Sequence, residues 1–182
     1  NNTKVIPVKV FGRKKTSQKT FEVLLTREIQ DGIWESLIKG LKKLDVGTSL
    51  FFANGKLEAK LISKNQGKGI LQFLSKSNIT KLLEKFGNMP LPPYIKRNHD
   101  NRFFDLDRER YQTVYAKEPG AIAAPTAGLH FTQKQIEQLK NNGINSIFVT
   151  LHIGSGSFQP VREKNIRLHC YWCGFIWRCN SF

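Results

Sequence analysis

Short apolar runs and turn residues alternate along the first part of this 182-residue chain. The runs are rich in β-branched and aromatic residues and recur about every 8 to 15 residues, which is typical of β-strands. They are Lys4–Phe11, Thr20–Leu25, Ile33–Ile38, Ser49–Ala53, Lys56–Ile62 and Gly69–Leu74. The turn signals between them are Gly12, Asp31-Gly32, Asn54-Gly55 and Gln66-Gly67. Six strands joined by hairpins predict a small antiparallel barrel or sandwich.

A helix and a proline-rich segment follow these strands. The helix is predicted from apolar residues at positions i, i+3, i+4 and i+7, namely Ile79, Leu82, Leu83 and Phe86. Ser77 is its expected N-cap, and Gly87 is the expected left-handed residue at its end. Residues 89–98 contain three prolines within four positions and predict a stiff linker. We therefore place a first domain at residues 1–88, whose first residues belong to the domain junction, and a second at residues 99–169.

Helix and strand alternate after the linker. Thr132 and Gln135 form a T-x-x-Q capping box at the start of a predicted helix that Gly143 ends. A predicted strand over residues 144–151 leads into a glycine loop. This order is typical of α/β units, whose ligands bind beyond the carboxyl ends of strands. His152 and the loop at residues 154–158 occupy that place.

Charge suggests a class of partner. The chain has 29 Lys and Arg against 14 Asp and Glu, and residues 1–100 hold 19 of these basic residues but only 8 acidic ones. Such an excess attracts nucleic acid, although a solvated, solubilising surface would have the same composition. Because no uncharged apolar run approaches the ~20 residues that cross a bilayer and no secretory leader is visible, we expect a cytoplasmic protein without membrane association. All three cysteines lie in the last thirteen residues, so disulfides do not hold the fold.

Two longer motifs are more specific. Residues 111–132 read YQTVYAKEPGAIAAPTAGLHFT, and residues 149–162 read VTLHIGSGSFQPVR. Both resemble the signature segments of the S-adenosylmethionine:tRNA ribosyltransferase-isomerase family of queuosine synthesis. Weaker similarities at residues 1–14, 87–97 and 107–112 occur in the family order, so the resemblance extends from residue 1 to about residue 169.

This resemblance implies a fold and a reaction. The implied fold is α+β with two domains, in which a six-stranded antiparallel β-barrel is inserted in a distorted α/β barrel-like domain. The implied enzyme transfers the ribosyl part of S-adenosylmethionine to 7-aminomethyl-7-deazaguanine in a tRNA anticodon. It isomerises the sugar to give epoxyqueuosine-tRNA and releases adenine and methionine. S-adenosylmethionine is consumed as the cosubstrate, tRNA is the partner, and we expect a monomer that needs no metal.

The motifs also supply candidate site residues. His130 and His152 are the candidate catalytic residues, because imidazole exchanges protons near neutral pH; a buried, hydrogen-bonded structural histidine is the alternative for each. The candidate contacts to substrate and cosubstrate are Tyr111, Gln112, Thr113, Thr126, Gly128, Thr132, Gly154, Gly156 and Phe158. Tyr111 and Phe158 have ordinary packing as their alternative role. The G-x-G of the second motif lacks the third glycine of a dinucleotide-binding loop.

Basic residues are the candidate contacts to the tRNA backbone. They are Arg13, Lys14, Lys15, Lys42, Lys43, Lys96 and Arg97, and each of them is also explained as a solvated surface charge.

The sequence departs from the family pattern at both ends. Asn2 stands where the family has an acidic residue, and the family run stops after His169. Residues 170–182 hold Cys170, Cys173 and Cys179, which with His169 offer a weak zinc signal; a reading-frame change or artificial end explains the altered composition better. We therefore expect an incomplete α/β domain and an inactive chain. A non-catalytic, basic RNA-binding module is the alternative function.

Overall fold

The computed structural model of the chain describes residues 1–75, 78–97, 102–154 and 156, together with the backbone of residues 101 and 176–178. The chain forms two compact units, Pro7–Pro90 and Asn1–Ile6 with Leu91–Phe182. It therefore starts in one unit, builds the other, and returns to the first after Pro90. The sequence-based range of 1–88 for the first domain included residues 1–6, which lie in the other unit.

The unit Pro7–Pro90 is a closed barrel of six antiparallel strands. After β1 (Thr3–Val5), which belongs to the other unit, the barrel strands are β2 (Lys9–Arg13), β3 (Thr20–Gln30), β4 (Ile33–Ile38), β5 (Ser49–Phe52), β6 (Leu57–Asn65) and β7 (Lys68–Phe73). Their order is β2-β3-β4-β7-β6-β5, and β5 pairs with β2 to close the barrel. Alternate side chains such as Phe21, Val23 and Leu25 are buried, as expected for strands with one face on a core. The predicted six-stranded antiparallel barrel is confirmed.

Several predicted turns are present in the barrel. Gly32 lies between β3 and β4 with φ of 71°, and Gly67 lies between β6 and β7 with φ of 79°. Asn54 and Gly55, between β5 and β6, have φ of 57° and 87°. Such left-handed backbone is favourable for glycine and tolerated by asparagine, so local sequence suffices to predict these turns.

Three details of this unit differ from the sequence-based prediction. The run predicted as one strand over residues 4–11 is two strands, because Pro7 has no N–H to donate to a ladder. Gly12 lies inside β2 rather than in a turn, and a Cβ there would be 2.5 Å from the ring of Phe52. Gly87 is extended, with φ of −76°, and a Cβ there would overlap the carbonyl oxygen of Pro7. Both glycines therefore allow two chain segments to approach each other closely.

The predicted helix of this unit is α1 (Ile79–Phe86). Its N-cap is Asn78, whose side chain accepts a hydrogen bond from the backbone N–H of Lys81 at 3.2 Å. The predicted cap, Ser77, lies outside the described residues, so the helix was predicted correctly and its cap was not. Ile79 and Leu83 are buried on the apolar face.

The described part of the second unit combines short strands with two helices. β1 pairs in parallel with β8 (Glu118–Ala121), with Thr3 opposite Glu118. β9 (Thr150–His152) pairs antiparallel with β10 (Ile176–Arg178). The helices are α2 (Phe104–Arg110) and α3 (Gln133–Asn141), and a 3-10 turn spans Thr126–His130. The predicted α+β class is confirmed.

Helix α3 ends as the sequence predicts, but the strand predicted after it is short. Gly143 has φ of 76°, and the N–H groups of Gly143 and Ile144 donate to the carbonyls of Lys140 and Leu139, a Schellman motif. The strand predicted over residues 144–151 is wrong for its first six residues, since β9 begins only at Thr150. Within the described part of the chain, no strand lies beside residues 144–149 to complete a ladder, and their apolar side chains are exposed.

Two further predictions concern the last residues of the chain and membrane association. The zinc site and the reading-frame change considered for residues 170–182 involve residues outside the described part of the chain, apart from the backbone of β10. Among the helices that the structure describes, none has the length and apolar character of a membrane span.

Candidate functional site

Asn1 and Asn2 hold the second signature segment in place beside β1. The side chain of Asn1 pairs with the backbone of Leu151: its Oδ1 accepts from the N–H at 2.9 Å and its Nδ2 donates to the carbonyl at 2.9 Å. Asn2 accepts from the hydroxyl of Thr150 at 2.8 Å and donates its backbone N–H to Val149 at 3.0 Å. Asn2 therefore acts as a hydrogen-bond acceptor for β9.

His152, at the end of β9, is fixed by neighbours from β1 and β8. Its Nδ1 lies 3.1 Å from the hydroxyl of Thr3, which is fully buried. The same hydroxyl donates to the backbone carbonyl of Glu118 at 3.5 Å. A Cβ at Gly120 would lie 2.8 Å from both Nδ1 and Cε1 of the imidazole, so the ring packs directly on the backbone of β8. His152 is half-buried, and it combines a structural contact with partial exposure.

The two signature segments are adjacent. Gly120 belongs to the first segment and contacts His152 of the second. The backbone N–H of Ile122 donates to the carbonyl of Ile153 at 2.8 Å. Residues just before the 3-10 turn Thr126–His130 and residues just before the glycine loop are therefore neighbours in the fold, as a shared site requires.

A second group of polar side chains surrounds Gly128. The hydroxyl of Thr113 is buried, the residue being 5% exposed, and it has no hydrogen-bond partner among the described residues. A Cβ at Gly128 would overlap the hydroxyl of Tyr115 and would lie 2.8 Å from the methyl of Thr113. Because buried hydroxyls are normally hydrogen-bonded, the hydroxyl of Thr113 retains an unused hydrogen-bonding capacity.

Tyr111 and Gln112 have structural roles. Tyr111 is 5% exposed; burial raises the pKa of its phenol above the ordinary value, and a hydrogen bond with the backbone of Ala124 acts in the opposite direction. The amide of Gln112 accepts from the N–H of Val5 at 2.9 Å and donates to the carbonyl of Val5 at 2.7 Å. For Tyr111 the packed alternative describes the observed environment, and the backbone of Val5 engages the oxygen and one N–H of the Gln112 amide.

The turn that precedes α3 exposes its histidine. His130 is the last residue of the 3-10 turn and is exposed, so the alternative of a buried histidine does not apply to it. Thr126 is exposed at the start of the same turn. The hydroxyl of Thr132 accepts from the N–H of Gln135 at 3.2 Å, which confirms the capping box. The first turn of α3 is therefore capped by its own side chains.

The glycine loop is described only in part. Gly154 and Gly156 follow β9 and are half-buried, while Phe158 lies outside the described residues. No contact of the described residues joins His130 to His152.

Five predicted tRNA contacts form a cluster on the barrel, which we call the barrel basic cluster: Arg13, Lys14, Lys15, Lys42 and Lys43. The ammonium of Lys14 donates to the carbonyl of Lys43 at 3.3 Å, which brings the end of β2 beside the 3-10 turn Leu41–Lys43. Lys15, Lys42 and Lys43 are exposed.

The two remaining basic candidates lie in the other unit. Arg97 makes a two-pronged ion pair with Asp107, with N–O distances of 2.8 and 2.9 Å. That hydrogen bonding raises the pKa of Arg97 above its ordinary value. Lys96 is exposed, whereas the charge of Arg97 is already balanced by Asp107.

Comparison with known proteins gives the family. The family model described as "Queuosine biosynthesis protein" matches residues 1–172. The chain belongs to the queuosine biosynthesis protein family. It is 41% identical over 169 residues to the S-adenosylmethionine:tRNA ribosyltransferase-isomerase of Sulfurihydrogenibium sp. and 44% identical over 170 residues to that of Staphylococcus aureus. Each match covers 93% of this chain and 48% of the relative, so the chain spans about half the length of these curated relatives.

A solved structure is also similar to this queuosine biosynthesis family member. It is the crystal structure of S-adenosylmethionine tRNA ribosyltransferase from Thermotoga maritima, with 26% identity and a TM-score of 0.40. The match covers 83% of this chain and 38% of the other. No group of three metal-ligating side chains occurs in the described part of the family member.

Sequence reasoning missed the residues that surround His152 in this family member. Thr3, Glu118 and Gly120 were not singled out, although Gly120 lies inside the first signature segment. Their role depends on the parallel pairing of β1 with β8, between residues 115 positions apart, which no local pattern reveals.

Proposed function

We propose that this chain contributes the barrel and part of the reaction site of an S-adenosylmethionine:tRNA ribosyltransferase-isomerase. The adjacency of the two signature segments at Gly120 and His152 is the observation that carries this proposal. The identity of 41–44% to relatives bearing that name, over 93% of the chain, supports the same activity. The substrates are S-adenosylmethionine and a tRNA with 7-aminomethyl-7-deazaguanine in its anticodon, and the enzyme works in the cytoplasm.

The reaction needs proton transfer, because the aminomethyl nitrogen loses a proton when it forms its bond to the sugar carbon. His152 is the proposed proton acceptor, since it is half-buried and held by neighbours. His130, with an exposed imidazole, is available to a ligand that approaches the turn before α3. The unpaired hydroxyl of Thr113 offers a hydrogen bond to a polar atom of a substrate.

The barrel supplies the positive surface for tRNA. The barrel basic cluster presents ammonium groups to solvent, and such groups bind phosphates without reading sequence. Arg97 is not part of this proposed surface, because Asp107 already balances its charge.

Substitution of His152 tests the proposal. In the whole polypeptide that carries these residues, His152→Gln should lower turnover about 10²- to 10⁴-fold while tRNA affinity is unchanged. The assay is mass spectrometry of the modified tRNA together with release of adenine, and Gln138→Ala on the exposed surface of α3 is the matched control. Wild-type turnover in His152→Gln would remove His152 from the mechanism.

The RNA-binding alternative predicts a different result. A non-catalytic module would leave the tRNA mass unchanged and release no adenine in the wild-type protein, yet would bind tRNA with strong salt dependence.

A further inference from the structure

We propose that Thr3 is a positioning residue that sets the tautomer of His152, so that Nδ1 carries the proton and Nε2 presents a free lone pair. The functional meaning of this tautomer rests on the proposed role of His152, but the tautomer itself is a property of the free protein. Nothing in the signature segments points to Thr3, which precedes both of them in the chain.

The hydroxyl of Thr3 has two partners. It lies 3.1 Å from Nδ1 of His152 and 3.5 Å from the carbonyl oxygen of Glu118. A hydroxyl has one proton to donate, and a carbonyl oxygen accepts only. If the Thr3 proton points to Glu118, then Nδ1 must be the donor in the contact with His152, and both contacts are hydrogen bonds. The opposite assignment leaves the Glu118 contact without a proton.

Burial makes this choice energetically important. Thr3 is fully buried, so water does not satisfy a hydroxyl lone pair or proton that the protein leaves unused. The opposite assignment uses only the contact with Nδ1, so the arrangement that uses both contacts has one more hydrogen bond inside the protein and is therefore favoured.

The packing of the ring gives the two nitrogens different surroundings. A Cβ at Gly120 would lie 2.8 Å from Nδ1 and Cε1 but 3.4 Å from Nε2. The Nδ1 edge is therefore the one closer to β8. Because the contact with Thr3 engages Nδ1, Nε2 is the nitrogen that no hydrogen bond of the described residues uses, and it is the one left to contact a ligand.

This arrangement suits a proton acceptor. Nδ1 remains protonated in both the neutral ring and the imidazolium, so it donates to Thr3 before and after Nε2 takes up a proton. His152 can therefore change its charge at Nε2 without losing its anchor. An unanchored neutral histidine in water carries its proton mainly on Nε2, which would be a donor instead of an acceptor.

Nitrogen NMR of the chain itself tests the tautomer. With ¹⁵N-labelled histidine at a pH where the rings are neutral, the His152 signals, assigned by comparison with His152→Gln, should show a protonated Nδ1 and an unprotonated Nε2. Thr3→Val, which has nearly the same shape but no hydroxyl, should shift the population toward the Nε2–H form, and Thr3→Ser should restore the wild-type signals. The signals of the other three histidines serve as the internal control.

Either of two results would overturn the inference. One is a wild-type spectrum in which Nε2 carries the proton, and the other is a Thr3→Val protein whose His152 signals match the wild type. The first result does not depend on Thr3→Val, so the test stands even if that variant folds poorly.

Turnover separates this inference from the proposed function. In the whole polypeptide, Thr3→Val should lower kcat about tenfold with little change in KM, and Thr3→Ser should retain most activity. If the spectra are as expected but His152→Gln has wild-type turnover, the tautomer assignment stands and the proposed role of His152 falls. If His152→Gln is inactive and Thr3→Val leaves both spectrum and kcat unchanged, the proposed function stands and the role of Thr3 falls.

Discussion

Gly120 is the residue at which the packing of His152 is most sensitive to change. Its φ of 141° is in the region that favours glycine, and an added methyl group would meet the imidazole ring. We expect Gly120→Ala to displace the ring, to lower turnover of the whole polypeptide about tenfold, and to destabilise the fold by about 1–3 kcal/mol. Kinetics and thermal unfolding measure the two effects.

Gly143→Ala is the matched control for that variant. Gly143 lies in the same unit with φ of 76°, but an added Cβ would meet nothing within 4 Å. This variant should cost about 1 kcal/mol of stability and leave turnover unchanged. Equal turnover in the two variants would show that contact with Gly120 does not position His152.

Glu35, in β4, links the stability of the barrel to pH. Burial raises the pKa of its carboxyl, but the hydrogen bond and charge of Lys68 at 2.9 Å and the hydrogen bond of Thr26 at 3.0 Å outweigh it, so the pKa lies below its ordinary value. The folded state thus binds fewer protons than the unfolded chain. The resulting stability is present above the ordinary pKa and is lost as the pH falls through the folded pKa.

Urea unfolding at pH 7 and pH 3 measures this effect. Glu35→Gln should reduce the loss of unfolding free energy between the two pH values, because the amide does not titrate. Glu84→Gln, at an exposed carboxylate on α1, is the control. An unchanged pH dependence in Glu35→Gln would show that the ion pair with Lys68 adds no stability.

At the residue scale, the sequence predicts the glycines that a turn conformation requires. It does not predict the glycines that are required because two distant chain segments approach closely. Gly32 and Gly67 are recognised as turn residues because the left-handed backbone of a short hairpin itself requires glycine. Gly12 and Gly87 are glycines for a different reason, since each faces an atom from a distant part of the chain, the ring of Phe52 or the carbonyl of Pro7. Only the assembled fold reveals these neighbours.

The capping box of α3 is the element-scale feature that connects stability with the candidate site. Thr132 and Gln135 exchange hydrogen bonds, with Gln135 accepting from the backbone N–H of Thr132 at 2.7 Å. Thr132→Ala should destabilise α3 by about 1 kcal/mol and speed hydrogen exchange of its first turn. Thr132→Ser, which keeps the hydroxyl, should match the wild type. Unchanged exchange in Thr132→Ala would mean that tertiary packing alone holds the helix.

Elements are predictable from sequence where their stabilising contacts are local. β4 has the predicted bounds, Ile33–Ile38, and α3 starts and ends at its predicted cap and glycine. Residues 144–149 have the composition of a strand, but among the described residues no neighbouring strand completes a ladder with them. A strand is a property of two segments, so composition alone over-predicts it. The same reason explains why the pairing of Thr3 with Glu118, and hence the setting of His152, was not predicted.

At the scale of the whole molecule, the uneven charge predicts how tRNA binds. Replacing Lys15, Lys42 and Lys43 of the barrel basic cluster with Gln should lower tRNA affinity and reduce the slope of log affinity against log salt by about 2 to 3, because each phosphate contact releases counterions. The control replaces three other exposed lysines of the same unit, Lys60, Lys64 and Lys81. Equal losses in the two triple variants would show a diffuse attraction with no localised surface.

The insertion of the barrel between β1 and β8 has a consequence for folding. Thr3 and its partner Glu118 are 115 residues apart, yet the two ends of the barrel meet where Lys9 and Asn88 exchange backbone hydrogen bonds at 3.1 and 2.7 Å. Once the barrel closes, the loop between Thr3 and Glu118 is effectively shortened to about 35 residues, which lowers the entropy cost of joining them by about 1 kcal/mol. During synthesis the barrel emerges from the ribosome before Glu118, so its closure keeps Thr3 near the segment that carries its later partner.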